Sequence, residues 1–158
     1  MNGTNVAGVM YTTQSVLNRT MWPRKEGTIL NVLLVTALEC PPFDGEAVYH
    51  ANKVCLEAFS NSLRMETTGS NIRVLVIRPG CVAAHFHLQP VKYDEKAMDE
   101  FFHGYKPLVG DDISDAIVYM LSRLAKTSIK TLDCVPTAYR ALTRFDTEWN
   151  NWNNSQIF

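Results

Sequence analysis

The chain has 158 residues, 15 of them basic and 16 acidic, for a net charge of −1 at neutral pH. That balance offers no basic face to nucleic acid or to an acidic membrane surface, and no apolar run is long enough to cross a bilayer. A hydrophobic content of 46% with 20% charged residues is that of a soluble globular chain, long enough for one domain with its own core.

The elements are predicted to run helix, strand, helix, strand, helix, strand. Asn5 to Trp22 reads as a helix with Val9, Thr12/Thr13, Val16 and Leu17 near one side, and Pro23 follows it. Thr28 to Val35 is almost continuously apolar, which fits a strand buried on both faces of a parallel sheet. Gly45 to about Glu66 reads as a long helix with a core stripe of Ala51, Cys55, Ala58/Phe59 and Ser62/Leu63, closed by Gly69. Ile72 to Ile77 is a second buried strand, broken by Pro79-Gly80. Asp111/Asp112 are expected to cap a helix carrying Ile113, Ala116, Ile117, Met120 and Leu121 on one face. Ser128 to Asp133 is a third strand. Residues 1–145 form the domain and 146–158 a polar, loose tail, with Trp149 and Trp152 part of it.

Alternating helices and strands imply right-handed crossovers and a parallel sheet, whose ligands bind at the carboxyl ends of the strands. On that rim lies Tyr49-x-x-x-Lys53. Residues four apart on a helix share a face. A nearby ammonium favours the phenolate, so the pair can make a general base of a tyrosine. Alone, such a pair reads as a surface contact without function.

The setting gives it weight. Asn5-Val6-Ala7-Gly8, Gly27 to Val32, Tyr49-His50-Ala51-Asn52-Lys53 and Ile77-Arg78-Pro79-Gly80-Cys81-Val82 stand in the order of the motifs of the short-chain dehydrogenase/reductase family. The chain resembles the C-terminal portion of that family from about Asn5 to Thr137. Ser128 to Thr137 is similar to its NADP-dependent 3-hydroxy acid dehydrogenases, of the serine or allo-threonine type. The resemblance implies an α/β fold, a partial Rossmann-type parallel sheet with flanking helices. It implies NADP- or NAD-dependent oxidation of a secondary alcohol or reduction of a ketone. Tyr49 would be the catalytic base and Lys53 would hold the nicotinamide ribose and lower the tyrosine's pKa. Asn5 would complete a proton relay, and Pro79, Gly80 and Val82 would line the nicotinamide.

The sequence also departs from the family. Where the family strand ends in serine, this chain has Leu33 and Leu34, which cannot donate a hydrogen bond to a substrate oxygen. Thr36 is a stand-in if the segment slips by two residues, while Asn31-Val32 anchors the other register. Ala84 replaces the threonine expected after the Pro-Gly turn, and Asn52 replaces a serine. No glycine-rich turn follows a strand near the start, so a pyrophosphate has no cradle. The sheet would keep three strands and expose the edge of the first.

Two readings follow. The chain is a truncated, serine-less oxidoreductase of weak or absent activity, or it is a non-catalytic binding protein. The second would dimerise through its first two long helices, with itself or with a full-length relative. His85, His87 and His103 lack the spacing of a metal site, and His85 to Pro107 reads as an aromatic substrate lid with Phe86, Phe101, Phe102 and Tyr105. Cys40, Cys55, Cys81 and Cys134 form no Cys-x-x-Cys pair and read as reduced thiols. No signal peptide is visible, so a cytoplasmic location is expected.

Overall fold

An unbroken apolar run builds the centre of the molecule. The structure, a computed structural model, describes residues 1–41, 44–83 and 100–153. Its central strand is β2, Asn71–Pro79, flanked by β1, Glu26–Val32, and β3, Thr131–Cys134, in the order β1-β2-β3. Both pairings are parallel, with Val32 opposite Ile77 and Pro79 opposite Cys134.

Side chains of β2 alternate between two covered faces, which explains why polar residues are missing from its middle. Ile72, Val74 and Val76 pack with Leu17, Leu33, Leu56 and Leu63 on one face. Leu75 and Ile77 pack with Met120 on the other, and all three are fully buried.

The first face is covered by two helical segments. The first is α1, Val9–Val16, preceded by a π-helical turn at Gly3–Gly8 and followed by another at Leu17–Met21 and by α2, Trp22–Arg24. The second is α3, Ala47–Glu66. The opposite face is covered by α4, Gly110–Leu121. A small hairpin, β4 (Tyr139–Ala141) with β5 (Arg144–Phe145), and a short helix α5, Trp149–Asn153, complete the described chain.

The partial parallel sheet agrees with the sequence reading, and several details do not. The first strand stops at Val32, because Val35–Ala37 winds into a 3-10 turn. The third strand is shorter and lies later, at Thr131–Cys134. The buried stripe of α3 is Asn52, Leu56, Ser60 and Leu63, so Ala51, Cys55, Ala58 and Ser62 face outward. Two polar groups sit in that buried stripe. Ser60 is satisfied there, donating to the Leu56 carbonyl at 2.8 Å and accepting from Asn31 Nδ2 at 2.9 Å. In α4 the cap comes from Asp112, which accepts from the Val109 N–H at 2.8 Å. Its Leu121 is exposed, while Ile113, Ala116, Ile117 and Met120 meet the core. The tail is not all loose, since the Asn150 N–H donates to the Gly104 carbonyl at 2.9 Å. Gly104 is at φ 81°, and a Cβ there would fall 1.7 Å from the Thr147 carbonyl oxygen, so this docking admits only glycine.

Leu75→Ala should cost about 2–5 kcal/mol in urea denaturation, because it opens a cavity under both α4 and the sheet. Leu124→Ala, at an exposed site, should stay within about 0.5 kcal/mol of the parent.

Candidate active site

Strands paired in parallel register end together, and here that brings three segments to one rim. Leu33 continues the ladder for one residue, donating to the Ile77 carbonyl at 2.8 Å, before the Val35–Ala37 turn. Beyond β2, the Gly80 N–H donates to the Cys134 carbonyl at 2.7 Å. A Cβ on Gly80 would lie 3.0 Å from Val135 Cγ1, so the absence of a side chain permits this approach. Val82 then pairs with Leu108, whose carbonyl accepts from the Ala83 N–H at 2.7 Å.

Tyr49 lies in the first turn of α3 and Lys53 one turn later, on the same face. The Lys53 ammonium is 5.4 Å from the centroid of the Tyr49 ring and 3.4 Å from the carbonyl oxygen of Val32, where β1 ends. The helix, the strand end and the pair therefore meet as the spacing predicts. Asn5 is half-buried in the π-helical turn, which packs against α3. Pro79 and Gly80 are buried at the end of β2 and Val82 is half-buried.

The electrostatics differ from expectation. Burial pushes the Tyr49 phenol up to about 12, and the Glu46 carboxylate adds to the shift. Lys53 is itself lowered by burial. Desolvation of the phenolate is the larger cause, and the shift runs opposite to the lowering that the resemblance implies. Glu46 was not singled out from the sequence. Its position three residues before Tyr49, one helical turn away, is the signal that marks it.

Of the two residues in place of the family serine, one has become structural. Leu33 is buried against Leu56 and Val76. Leu34 is half-buried and fully extended. Thr36 is buried in the 3-10 turn with its carbonyl accepting from His50 Nδ1. Its hydroxyl is sealed from solvent and has no hydrogen-bond partner among the described residues, so as placed it cannot meet a substrate. Ala84, His85, Phe86 and His87 lie outside the described residues. His103 is exposed, and among the described residues no cluster of three His, Cys, Asp or Glu could hold a metal.

The aromatic residues pack on one another. Tyr105 stacks on Phe145 with centroids 4.5 Å apart, and Phe101, Phe102 and Tyr139 meet these rings edge-on. Burial pushes the Cys81 thiol up to about 12, while the Tyr105 hydroxyl opposes the shift. Glu39, also unforeseen, ties the rim to the hairpin. One of its oxygens accepts from the Tyr139 hydroxyl at 2.5 Å and the other from the Leu142 N–H at 2.8 Å.

The short-chain dehydrogenase model matches residues 1–94, more than half of the chain. The chain belongs to the short-chain dehydrogenase family. An NADP-dependent 3-hydroxy acid dehydrogenase of Schizosaccharomyces pombe is 32% identical over 120 residues, covering 76% of this chain and 45% of the relative. A serine 3-dehydrogenase of Rhizobium radiobacter is 32% identical over 136 residues, covering 86% and 53%. The closed form of a serine dehydrogenase complexed with NADP+ superposes with a TM-score of 0.77 at 30% identity, covering 90% of this chain and 57% of that one. The chain thus spans about half the length of the relatives it matches. These names agree with the subgroup that the Ser128 to Thr137 segment resembles. No described helix is long and apolar enough to cross a membrane.

Whether the residues fit a dinucleotide divides along the ligand. Tyr49, Lys53 and the Pro79-Gly80 turn occupy one rim. The pyrophosphate has no match among the described residues. β1 leads into a 3-10 turn, and the N-terminus of α3 is headed by the carboxylate of Glu46, which repels an anion.

Titration of Tyr49, read from its ring carbons by NMR, should show a midpoint near 12. Glu46→Gln should lower it yet leave it above the ordinary value, since burial is the larger cause. The folded state holds this proton more tightly than the unfolded chain. Stability should therefore be intact below pH about 10 and decline as pH rises toward 12. Tyr49→Phe should flatten part of that decline.

Proposed function

We propose that this chain derives from an NADP- or NAD-dependent oxidoreductase acting on a secondary alcohol or ketone, and that its own activity is weak or absent. The observation that carries the reading is the Lys53 ammonium beside the Tyr49 ring, on the rim where β1 ends. The cofactor, when bound, supplies hydride chemistry. Tyr49 exchanges a proton with the substrate oxygen, Lys53 holds the ribose, and Asn5 orders the relay behind them. Pro79, Gly80 and Val82 form the wall on the nicotinamide side. With its phenol pushed up to about 12, Tyr49 is protonated at neutral pH and can donate to a developing alkoxide. The free thiols, with Cys40 and Cys55 exposed, suit a reducing compartment such as the cytoplasm.

Two features lower the rate. Leu33 and Leu34 provide no donor for the substrate oxygen, and losing one such donor typically costs about 100- to 1,000-fold in rate. Among the described residues nothing cradles a pyrophosphate, and Glu46 heads the N-terminus of α3. Purified chain assayed with NADP+ and serine should therefore turn over at least about a hundredfold more slowly than a full-length serine 3-dehydrogenase. Leu34→Ser alone should leave it slow. Turnover equal to the relative's would overturn the reading.

A second reading rests on a separate observation. The outward face of α3 carries Val48, Ala51, Cys55, Ala58, Ser62 and Met65, all exposed and spaced alternately three and four residues apart. That spacing makes one continuous seam for a second helix. Dimerisation through α3 and α1, with a second copy or a full-length relative, gives a non-catalytic binding protein. Sedimentation should show a dimer that Ala58→Arg returns to monomer, and a parent chain that is monomeric at all concentrations would exclude this role.

A further inference from the structure

Glu46 is half-buried at the head of α3, and among the described residues no ion pair holds it. Its side chain makes no cap bond to the helix either. The positive end of the helix dipole accounts for an acid in this position, but not for its burial, which raises its own pKa. The charge is felt across the rim. Burial raises the Tyr49 phenol and the Cys81 thiol, and the Glu46 carboxylate raises both further. It therefore lies within reach of the first turn of α3 and of the segment beyond β2, the two places where the chain leaves the sheet. Two cations of the same rim are already committed. Arg78 meets Asp133 at 2.5 Å and Glu57 at 3.5 Å, and the Lys53 ammonium is directed at the Val32 carbonyl.

We propose that Glu46 sets the substrate class of this site: a secondary alcohol or ketone with an ammonium group on the carbon next to the reacting one, in preference to a hydroxy acid. The inference rests on the oxidoreductase reading for the oxygen that meets Tyr49, and adds what flanks that oxygen. Residues three apart on a helix are neighbours, with Cβ atoms about 5–6 Å from one another. The Glu46 carboxylate therefore reaches a group a few bonds from an oxygen held at the Tyr49 phenol. An ammonium there gives it a charge-assisted hydrogen bond and supplies the partner that its half-buried charge lacks. A 3-hydroxy acid, the class in the name of the Schizosaccharomyces pombe relative, brings a carboxylate to the same place, where like charges repel.

The test titrates 1-amino-2-propanol, 2-butanol and 3-hydroxybutyrate into the 158-residue chain, with and without NADP+, while NMR follows the Tyr49 ring carbons. The ammonium compound is expected to bind at least about tenfold more tightly than the carboxylate, the worth of one charge-assisted hydrogen bond, with the neutral alcohol between them. Glu46→Gln should bring all three within about twofold of one another, and Glu46→Lys should invert the order. The Glu46 side chain caps nothing, so both variants should fold. Asp44→Asn, at an exposed position two residues earlier, should leave the order as it is. Equal affinities, a preference for the carboxylate, or no response of Tyr49 to any of the three overturns the inference. So does an order that Glu46→Gln leaves in place or that Asp44→Asn abolishes. Turnover is a separate readout, and a chain that binds in the expected order without turning over keeps this inference and loses the reaction.

Discussion

The parallel register between β1 and β2 is the constraint on which the remaining arrangement depends. With Val32 fixed opposite Ile77, both strands run out at the same level, and the chain must leave the sheet there twice. One exit becomes the Val35–Ala37 turn and then α3, which carries Tyr49 and Lys53. The other becomes Pro79-Gly80, pinned to Cys134 by the Gly80 N–H. The rim is thus a consequence of strand pairing. A register slip of one residue would turn Val74 and Val76 out of one face and Leu75 and Ile77 out of the other. Neither α3 nor α4 would then find its apolar counterpart.

The architecture was legible because its strongest signal is a covered parallel strand. Residues 74 to 77 are apolar without alternation, and only burial on both faces demands that. The rim followed from the alternation of strands and helices, which brings the carboxyl ends of parallel strands together. Less was legible on α3, where both faces look plausible as a core. The outward face is rich in small and apolar residues, while the buried stripe includes Asn52 and Ser60. Ser60 is stable there because Asn31, across the sheet interface, and the carbonyl of Leu56 complete its hydrogen bonds. Apolar periodicity cannot register a buried polar pair satisfied by a residue 29 positions away. Strand ends were blurred for a related reason, since Val35 is as buried in its turn as it would be in a strand.

The Tyr49 environment shows how a motif and its electrostatics can part. The spacing of Tyr49 and Lys53 guarantees a shared face, and the structure delivers it. The protonation of the phenol depends on what else surrounds it. Burial penalises the phenolate, and Glu46 one turn earlier adds repulsion. The shared face therefore does not by itself set the protonation of the phenol.

The loss of the serine is absorbed unequally by the two leucines that occupy its place. Leu33 has joined the core between Leu56 and Val76, and a hydroxyl there would be buried without an evident partner, at a cost of about 1–3 kcal/mol. Leu34 makes no such commitment. It is half-buried, extended and at the strand end, where a hydroxyl could point into the rim. In packing terms the substitution is therefore reversible at Leu34 and not at Leu33.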